Sequence, residues 1–300
     1  MERMPKVVLA GGTGFVGQAF ARRFRELGAE VKIISRQAPH IPWEDQSAIV
    51  EALEGADLLI NLAGRSVNCR YTPENRRLIL NSRTETTRQL GECVLACRRP
   101  PALWINSSTA TIYRHAEDRP MTEEGGEIGT GFSVDVAKAW EEAFFAFDLP
   151  ATRQIALRIA IVLDDGGVVA PLRNLVRFGL GGAQGSGRQQ FSWIHMKDLF
   201  RIVRFLQEHP ELDGVFNASA PNPVTNRELM ASLRRAMGVP IGLPAPRWLL
   251  ELGARFIRTE TELVLKSRWV LPERLQRAGF TFHYDTLEKA LEEIVGRMRG

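Results

Sequence analysis

The run Lys6-Val7-Val8-Leu9-Ala10-Gly11-Gly12-Thr13-Gly14-Phe15-Val16-Gly17 reads as a short apolar strand opening straight into a glycine turn. An amphipathic helix follows, then a second strand, Val31-Lys32-Ile33-Ile34, which ends in Ser35-Arg36. The glycines divide the physical work. One supplies a positive φ, one lets the backbone nearly touch a pyrophosphate, and one lets the helix pack close on the strand. Free N–H groups and the positive dipole at the helix start then hold the phosphates. Alone, such a glycine pattern is a weak signal. Between a strand and a helix, with a second strand beyond, it reads as a dinucleotide-binding turn. The expected contacts are Gly11, Thr13, Gly14, Phe15, Val16 and Gly17.

A carboxylate at the tip of the second strand would receive the ribose 2′-OH of NAD. The tip here is Ser35-Arg36, a hydroxyl and a guanidinium that suit a 2′-phosphate. The competing reading of Arg36 is an ordinary solvated loop arginine. The expected cofactor is NADP(H).

Composition sets broad limits. Three hundred residues, 44% hydrophobic and 25% charged, suit one large globular α/β domain or one domain plus a smaller lobe. A net charge of +4 is mild, and the arginines are dispersed along amphipathic helices, so no nucleic-acid partner is expected. No run approaches the roughly 18 apolar residues of a membrane helix, and the N-terminus runs straight into strand one with no room for a signal peptide. Cys69, Cys93 and Cys97 form no CxxC motif, and the last two lie four apart on an expected helix, poor disulfide geometry. The five histidines form no ligand cluster, so no metal is expected. These features together point to a reducing, cytoplasmic location.

Strands and helices then alternate. The sequence predicts a helix over Ala48–Leu53, a buried strand over Asp57–Leu62 and a long helix from about Pro73 to Ala96. A strand over Ala102–Ser107, a helix over Ser133–Phe147 and a strand over Arg153–Leu163 follow. This rhythm implies a Rossmann-type, doubly wound parallel sheet with helices on both faces. Residues 1–165 would form the NADP-binding domain, completed by segments around 190–220. Residues 166–300 would form a smaller, mostly helical substrate lobe, with a flexible loop over Gly179–Gly187 and nearly continuous helix from Pro240.

The glycine turn, the strand end Asn61-Leu62-Ala63-Gly64 and the strand end Ser107-Ser108-Thr109-Ala110-Thr111-Ile112-Tyr113 resemble those of an extended short-chain dehydrogenase/reductase. Within that superfamily the chain is most similar to the NAD(P)-binding epimerase-like family whose eukaryotic members are called SDR family 39U. Its marks recur in order: Ser82-Arg83, Trp140-Glu141, the run from Gly185-Ser186-Gly187 to Trp193-Ile194-His195, and Leu271-Pro272-Glu273-Arg274-Leu275 leading to Ala278-Gly279-Phe280. The likeness covers essentially the whole chain. It implies cofactor contact by Leu62, Ala63 and Gly64. It also implies contact with cofactor or substrate by Arg83, which is counted here with the cofactor-binding residues.

The superfamily reaction normally uses a Tyr-x-x-x-Lys pair on one helix face, the Lys lowering the Tyr pKa and holding the ribose. Anchored on Glu141, the corresponding positions hold Ser133 and Ala137. Lys138 stands about 100° around the helix and reads as a surface ion pair with Glu141 and Glu142. Thr109 resembles the superfamily's substrate-steadying hydroxyl. Tyr113 and His195 are further catalytic candidates, against structural roles in the loop and at the start of a helix near Met196. The arginine that grips a sugar-nucleotide phosphate in related epimerases is replaced by Phe191, which cannot act as a phosphate clamp. Phe191, Trp193 and Trp43 suggest a less polar pocket wall. Two readings stand: an NADP-dependent oxidoreductase or epimerase of an unidentified small molecule, and a noncatalytic NADP(H)-binding redox sensor. The long helix of residues 73–97 and the Ser133 helix are the faces that pair in related dimers, so monomer and homodimer both remain open.

Overall fold

Val7, Val8, Leu9 and Ala10 are all buried, as a strand covered on both faces must be. This strand, β1 (Lys6–Ala10), lies inside a six-stranded sheet in the computed structural model, which describes residues 4–245 and 266–298. Its partners are β2 (Glu30–Ile34), β3 (Leu58–Asn61), β4 (Leu103–Thr109), β5 (Arg153–Ile159) and β9 (Gly214–Ala218), in the order β2-β1-β3-β4-β5-β9. Every pairing in this sheet is parallel. The order reverses between β1 and β3, which opens a crevice at the carboxyl ends of those strands. The doubly wound parallel fold read from the sequence is the fold observed.

Alternation along the strands divides the core. Val7, Leu9, Leu58, Ile60, Leu103, Ile105, Ile155 and Leu157 face α1 (Phe15–Glu26) and α6 (Met196–Glu208), packing on Phe20, Phe24 and Phe200. Val8, Ala10, Leu59, Trp104 and Ala156 face the other way. There they meet α2 (Gln46–Leu53), α3 (Pro73–Ala96) and α4 (Phe132–Phe145). α3 begins as the sequence predicts, with Thr72 capping and Pro73 in the first turn.

The apolar run Arg153–Leu163 is two strands, not one. The Ala160 N–H still bonds Ala218 in the main sheet, but the Ile161 N–H turns to Ser192. Residues Ile161–Leu163, β6, then pair in parallel with β8 (Trp193–His195). Apolar side chains continue through the break, so hydrophobicity gives no sign of the change of partner. A third core gathers around β6 and β8, where Trp193, Met230, Leu233, Leu291 and Ile294 pack together. It is built by α5 (Val169–Arg177), α7 (Asn226–Met237) and α9 (Leu287–Arg297) beside an antiparallel pair, β7 (Gln190–Phe191) and β10 (Val224–Thr225).

Two expectations for this lobe change. The Gly179–Gly187 loop is tied down by backbone hydrogen bonds from Gly182 to Leu243 and from Gly185 to Ala245. Residues 240–245 and 266–272 are not helical; Arg268 and Val270 instead form bridges to Phe191 and Met121. Helix returns at α8 (Glu273–Arg277) and α9; the rest of the stretch expected to be helical lies outside the described residues.

Candidate functional site

The glycine turn sits at the crevice. Gly11 takes φ +76°, and a Cβ there would lie 2.8 Å from the Ala63 backbone. A Cβ on Gly17 would come within 2.6 Å of Gly12 Cα, so this glycine closes the helix onto the turn. Gly14 differs. Its φ is −77°, and a Cβ would meet nothing nearer than the Gly11 carbonyl at 3.5 Å. The protein's own packing does not demand glycine at 14; a ligand lying against the turn would. Gly14 is also the N-cap of α1, with no capping side chain and no acidic residue in the first turn, which leaves that helix end suited to anions. Gly11, Thr13 and Gly14 line the cleft itself. The Phe15 ring rests over Gly166 and Gly167 and Val16 packs on the core, so what Phe15, Val16 and Gly17 present to the cleft is backbone.

The strand tip is anchored to the same turn. Ser35 is buried; its Oγ accepts the Gln37 N–H at 3.1 Å and shares a 3.0 Å hydrogen bond with Thr13 Oγ1. Beside it Arg36 is exposed, and its guanidinium has no hydrogen-bond or ion-pair partner among the described residues. Arg65, which the sequence reading missed, lines the same cleft of about 460 Å³. Its signal was its place directly after the strand end Leu62-Ala63-Gly64. Trp43 also stands here, beside Ser35 and Arg36, and not in the substrate pocket wall. A wider hollow between the Pro42–Ser47 segment and α3 is rimmed by Glu44, Asp45, Glu85 and Glu92, a poor match for phosphate.

Buried amides hold the end of β3. Asn61 Oδ1 accepts the Ala63 N–H at 3.0 Å, while its Nδ2 donates to Asn106 Oδ1 at 2.7 Å and to Thr87 Oγ1 at 3.0 Å. Trp140 Nε1 donates to the same threonine at 3.0 Å. This network pins Leu62-Ala63-Gly64 against α3 and α4. Along α3, Ser82 and Thr86 face the glycine-turn cleft, while Ile79 and Arg83 face a second cavity. Each pair is spaced by four, one helical turn apart on its own face.

The second cavity encloses about 130 Å³. Tyr71, Phe132 and Trp140 give it aromatic walls, with Val67, Ile79 and Val136 between them. Thr109, Thr111 and Ser133 add hydroxyls, and Arg83 is its single charged residue among the described ones. The Arg83 guanidinium lies 5.2 Å from the Trp140 ring centroid, and its Nη1 donates to the carbonyls of Ile79 and Arg65. A Cβ on Gly64 would lie 3.1 Å from the same guanidinium, so cleft and cavity meet at Gly64 and Arg83. Burial lowers the Arg83 pKa to about 10, with Tyr71 the neighbour that pulls it back up. Arg83 therefore belongs to the cavity side of that junction, although the sequence reading counted it with the cofactor.

Of the three catalytic candidates, only Thr109 reaches the cavity. Its Oγ1 accepts the Thr111 N–H at 3.1 Å, which leaves its own proton to donate. Tyr113 is buried; its hydroxyl donates to Asn217 Oδ1 at 2.9 Å and accepts from Arg158 Nη1 at 2.9 Å. Burial pushes this phenol up, against Arg158 and Asn217, and it lines no part of the cavity. His195 is fully buried and caps α6. Its Nδ1 accepts the Lys197 N–H at 3.1 Å, so Nε2 carries the proton toward Glu293, 3.1 Å away. The ring stacks on Tyr284 at 3.8 Å between centroids. Both residues act in packing, because strand-end and helix-start positions in this fold point inward as readily as into the crevice.

Other expectations shift with them. Glu141 does not pair with Lys138, which is exposed. It forms a buried ion pair with Arg158 at 2.7 Å and accepts the Ser108 hydroxyl at 2.6 Å. Trp193 is fully buried, with Nε1 bonded to the Asn222 carbonyl, and Phe191 packs against the third core. The aromatic pocket wall comes instead from Tyr71, Phe132 and Trp140. Among the described residues no group of three or more His, Cys, Asp or Glu side chains could hold a metal ion, and no helix is long and apolar enough to cross a membrane.

Comparison with known proteins agrees with this geometry. Residues 7–135 match the NAD dependent epimerase/dehydratase family, and residues 245–294 match a domain of unknown function, DUF1731. The mouse epimerase family protein SDR39U1 is 32% identical over 301 residues, covering 97% of this chain and 99% of that protein. The Bacillus subtilis epimerase family protein YfhF is 29% identical, covering 96% and 97%. Human SDR39U1 crystallised with NADPH, the cofactor that Ser35-Arg36 leads one to expect, superposes with a TM-score of 0.86 at 29% identity, covering 97% of this chain and 99% of that one. Likeness on this scale spans nearly the whole chain, and the chain belongs to the epimerase family that includes SDR39U1.

Proposed function

We propose that the protein is an NADP(H)-dependent oxidoreductase of a small carbonyl or alcohol. The observation that carries this reading is the junction at Gly64 and Arg83, where a glycine-turn cleft meets a smaller cavity lined by a phenol and three hydroxyls. Gly11, Thr13, Gly14 and the first turn of α1 would hold the diphosphate, Ser35 and Arg36 the 2′-phosphate, and Leu62, Ala63 and Gly64 the path toward the nicotinamide. Bound there, NADPH supplies hydride chemistry. Among the described residues Tyr71 is the one phenol lining the cavity, and it acts as proton donor to the substrate oxygen. Thr109 steadies that oxygen with its free hydroxyl proton, and Arg83 favours the phenolate that Tyr71 leaves behind. Tyr71 and Arg83 thus take the parts that the usual Tyr-x-x-x-Lys pair plays elsewhere.

One observation favours the noncatalytic sensor: the α4 position where a tyrosine would be expected brings Ser133 to the cavity, and Ala137, where the lysine would be, is buried in the core. The experiment that separates the readings follows NADPH fluorescence and absorbance while aldehydes, ketones and oxo acids are added. Oxidation of NADPH by at least one carbonyl, with formation of the matching alcohol, supports the enzyme. Tight NADPH binding with no turnover across the panel supports the sensor.

A further inference from the structure

We infer that the cavity beside the glycine-turn cleft selects a small carboxylate, an oxo acid or hydroxy acid, and that Arg83 is the residue that grips it. This rests on the oxidoreductase reading and names its substrate class. The cavity's volume of about 130 Å³ is close to the roughly 150 Å³ that holds a benzene molecule, so the part of the occupant seated inside it is small. Among the described residues no aspartate or glutamate lines it. Arg83 has no ion-pair partner among the described residues, and its two hydrogen bonds both use Nη1. Nε and Nη2, the adjacent pair that meets a carboxylate side-on, have no protein acceptor there. A half-buried cation faced by two carbonyls, an indole ring and the Tyr71 phenol has no carboxylate beside it among the described residues, and a bound anion supplies one. One cation in a benzene-sized space suits a monoanion better than a phosphate dianion. Phe132 and Val136 then offer an apolar surface for a short side chain, and Tyr71 and Thr109 line the same cavity, where the carbonyl oxygen would sit.

The test titrates NADPH-loaded protein with 2-oxopentanoate and with its methyl ester, reading nicotinamide fluorescence and heat of binding, in wild type, Arg83→Gln and Arg83→Lys. The acid should bind at least tenfold more tightly than the ester in wild type. Arg83→Gln should erase that preference, Arg83→Lys should retain part of it, and the NADPH dissociation constant should stay within about twofold throughout. Equal binding of acid and ester by wild type, or no binding of either, overturns the inference while leaving the cofactor reading intact. A tenfold loss of NADPH affinity in Arg83→Gln also overturns it, because the arginine would then serve the cofactor. Absence of NADPH binding by wild type would remove the oxidoreductase reading itself, and the inference with it.

Discussion

The glycine-turn cleft and the cavity beside it are built in different ways. The cleft is largely backbone: a positive φ at Gly11, a close approach at Gly17 and an uncapped helix start at Gly14. The cavity is side chain, assembled from Val67 and Tyr71 before α3, Ile79 and Arg83 on it, Thr109 and Thr111 after β4, and Phe132 to Trp140 on α4. Backbone requirements restrict residue type strongly and locally, so one half of the site is written in consecutive letters. Side-chain walls tolerate many residue types and are brought together only by the fold. On the proposed reading, cofactor binding and substrate choice can be altered separately in this molecule.

Tyrosine pairs break the comparison most sharply. Tyr71→Phe should lower turnover by about 10²–10⁴-fold with NADPH affinity unchanged, the range for loss of a positioned general acid. Tyr113→Phe should leave turnover within about twofold, yet cost about 1–3 kcal/mol in a denaturant melt by leaving Asn217 Oδ1 buried without its donor. Equal kinetic effects of the two changes would mean that the cavity is not the reaction site.

Glycine pairs sharpen the other half. Gly14→Val should leave the melting temperature within about 2 °C but weaken NADPH by at least about a hundredfold, since several charge-assisted phosphate bonds of roughly 1.5–3 kcal/mol would be displaced. Gly17→Val should instead unfold the turn, lowering the melting temperature by about 5 °C or more through overpacking against Gly12. A folded, NADPH-binding Gly14→Val variant would show that no phosphate lies against that residue.

The smallest effect concerns the C-terminal lobe, away from both halves of the site. Burial lowers the His195 pKa, although Glu293, Asp164 and Asp198 pull it up. Burial would raise Glu293, but the Lys197 hydrogen bond and the charges of Arg297, His195 and Lys197 outweigh it and hold that carboxyl low. The unfolded chain takes up a proton on His195 near pH 6.5, where the folded protein resists it. Stability should therefore fall as pH drops through about 6.5, and further as Glu293 is protonated at lower pH. Melting curves between about pH 7.5 and 5 check this, and His195→Gln should flatten the upper part of the decline.

Much of the fold was legible. Strand one, the turn, α3 with its Thr72-Pro73 start and the parallel order follow from apolar runs punctuated by glycine and proline. The change of partner at Ala160 was hidden, because β5 and β6 share one unbroken apolar pattern. In the candidate site, Ser35 and Arg36 could be named from sequence because strand tips are fixed in place by the strand itself. Tyr71 and Arg65 were missed because they sit in the irregular segment before α3, where no periodicity tells direction. Tyr113 and His195 looked chemical in sequence, and only their buried partners, Asn217 and Arg158 for one and Glu293 and Tyr284 for the other, reveal structural roles.

On the proposed reading the dinucleotide preference rests on the Arg36 guanidinium beside Ser35, which has no partner among the described residues. Parallel titrations of wild type and Arg36→Asp with NADPH and NADH measure it. Wild type should prefer NADPH, and the substitution should weaken NADPH by about 10–100-fold, the value of a charged phosphate contact, while NADH changes by less than about threefold. Equal affinity of wild type for the two cofactors, or equal losses for both on substitution, would show that the 2′-phosphate is not bound at this strand tip.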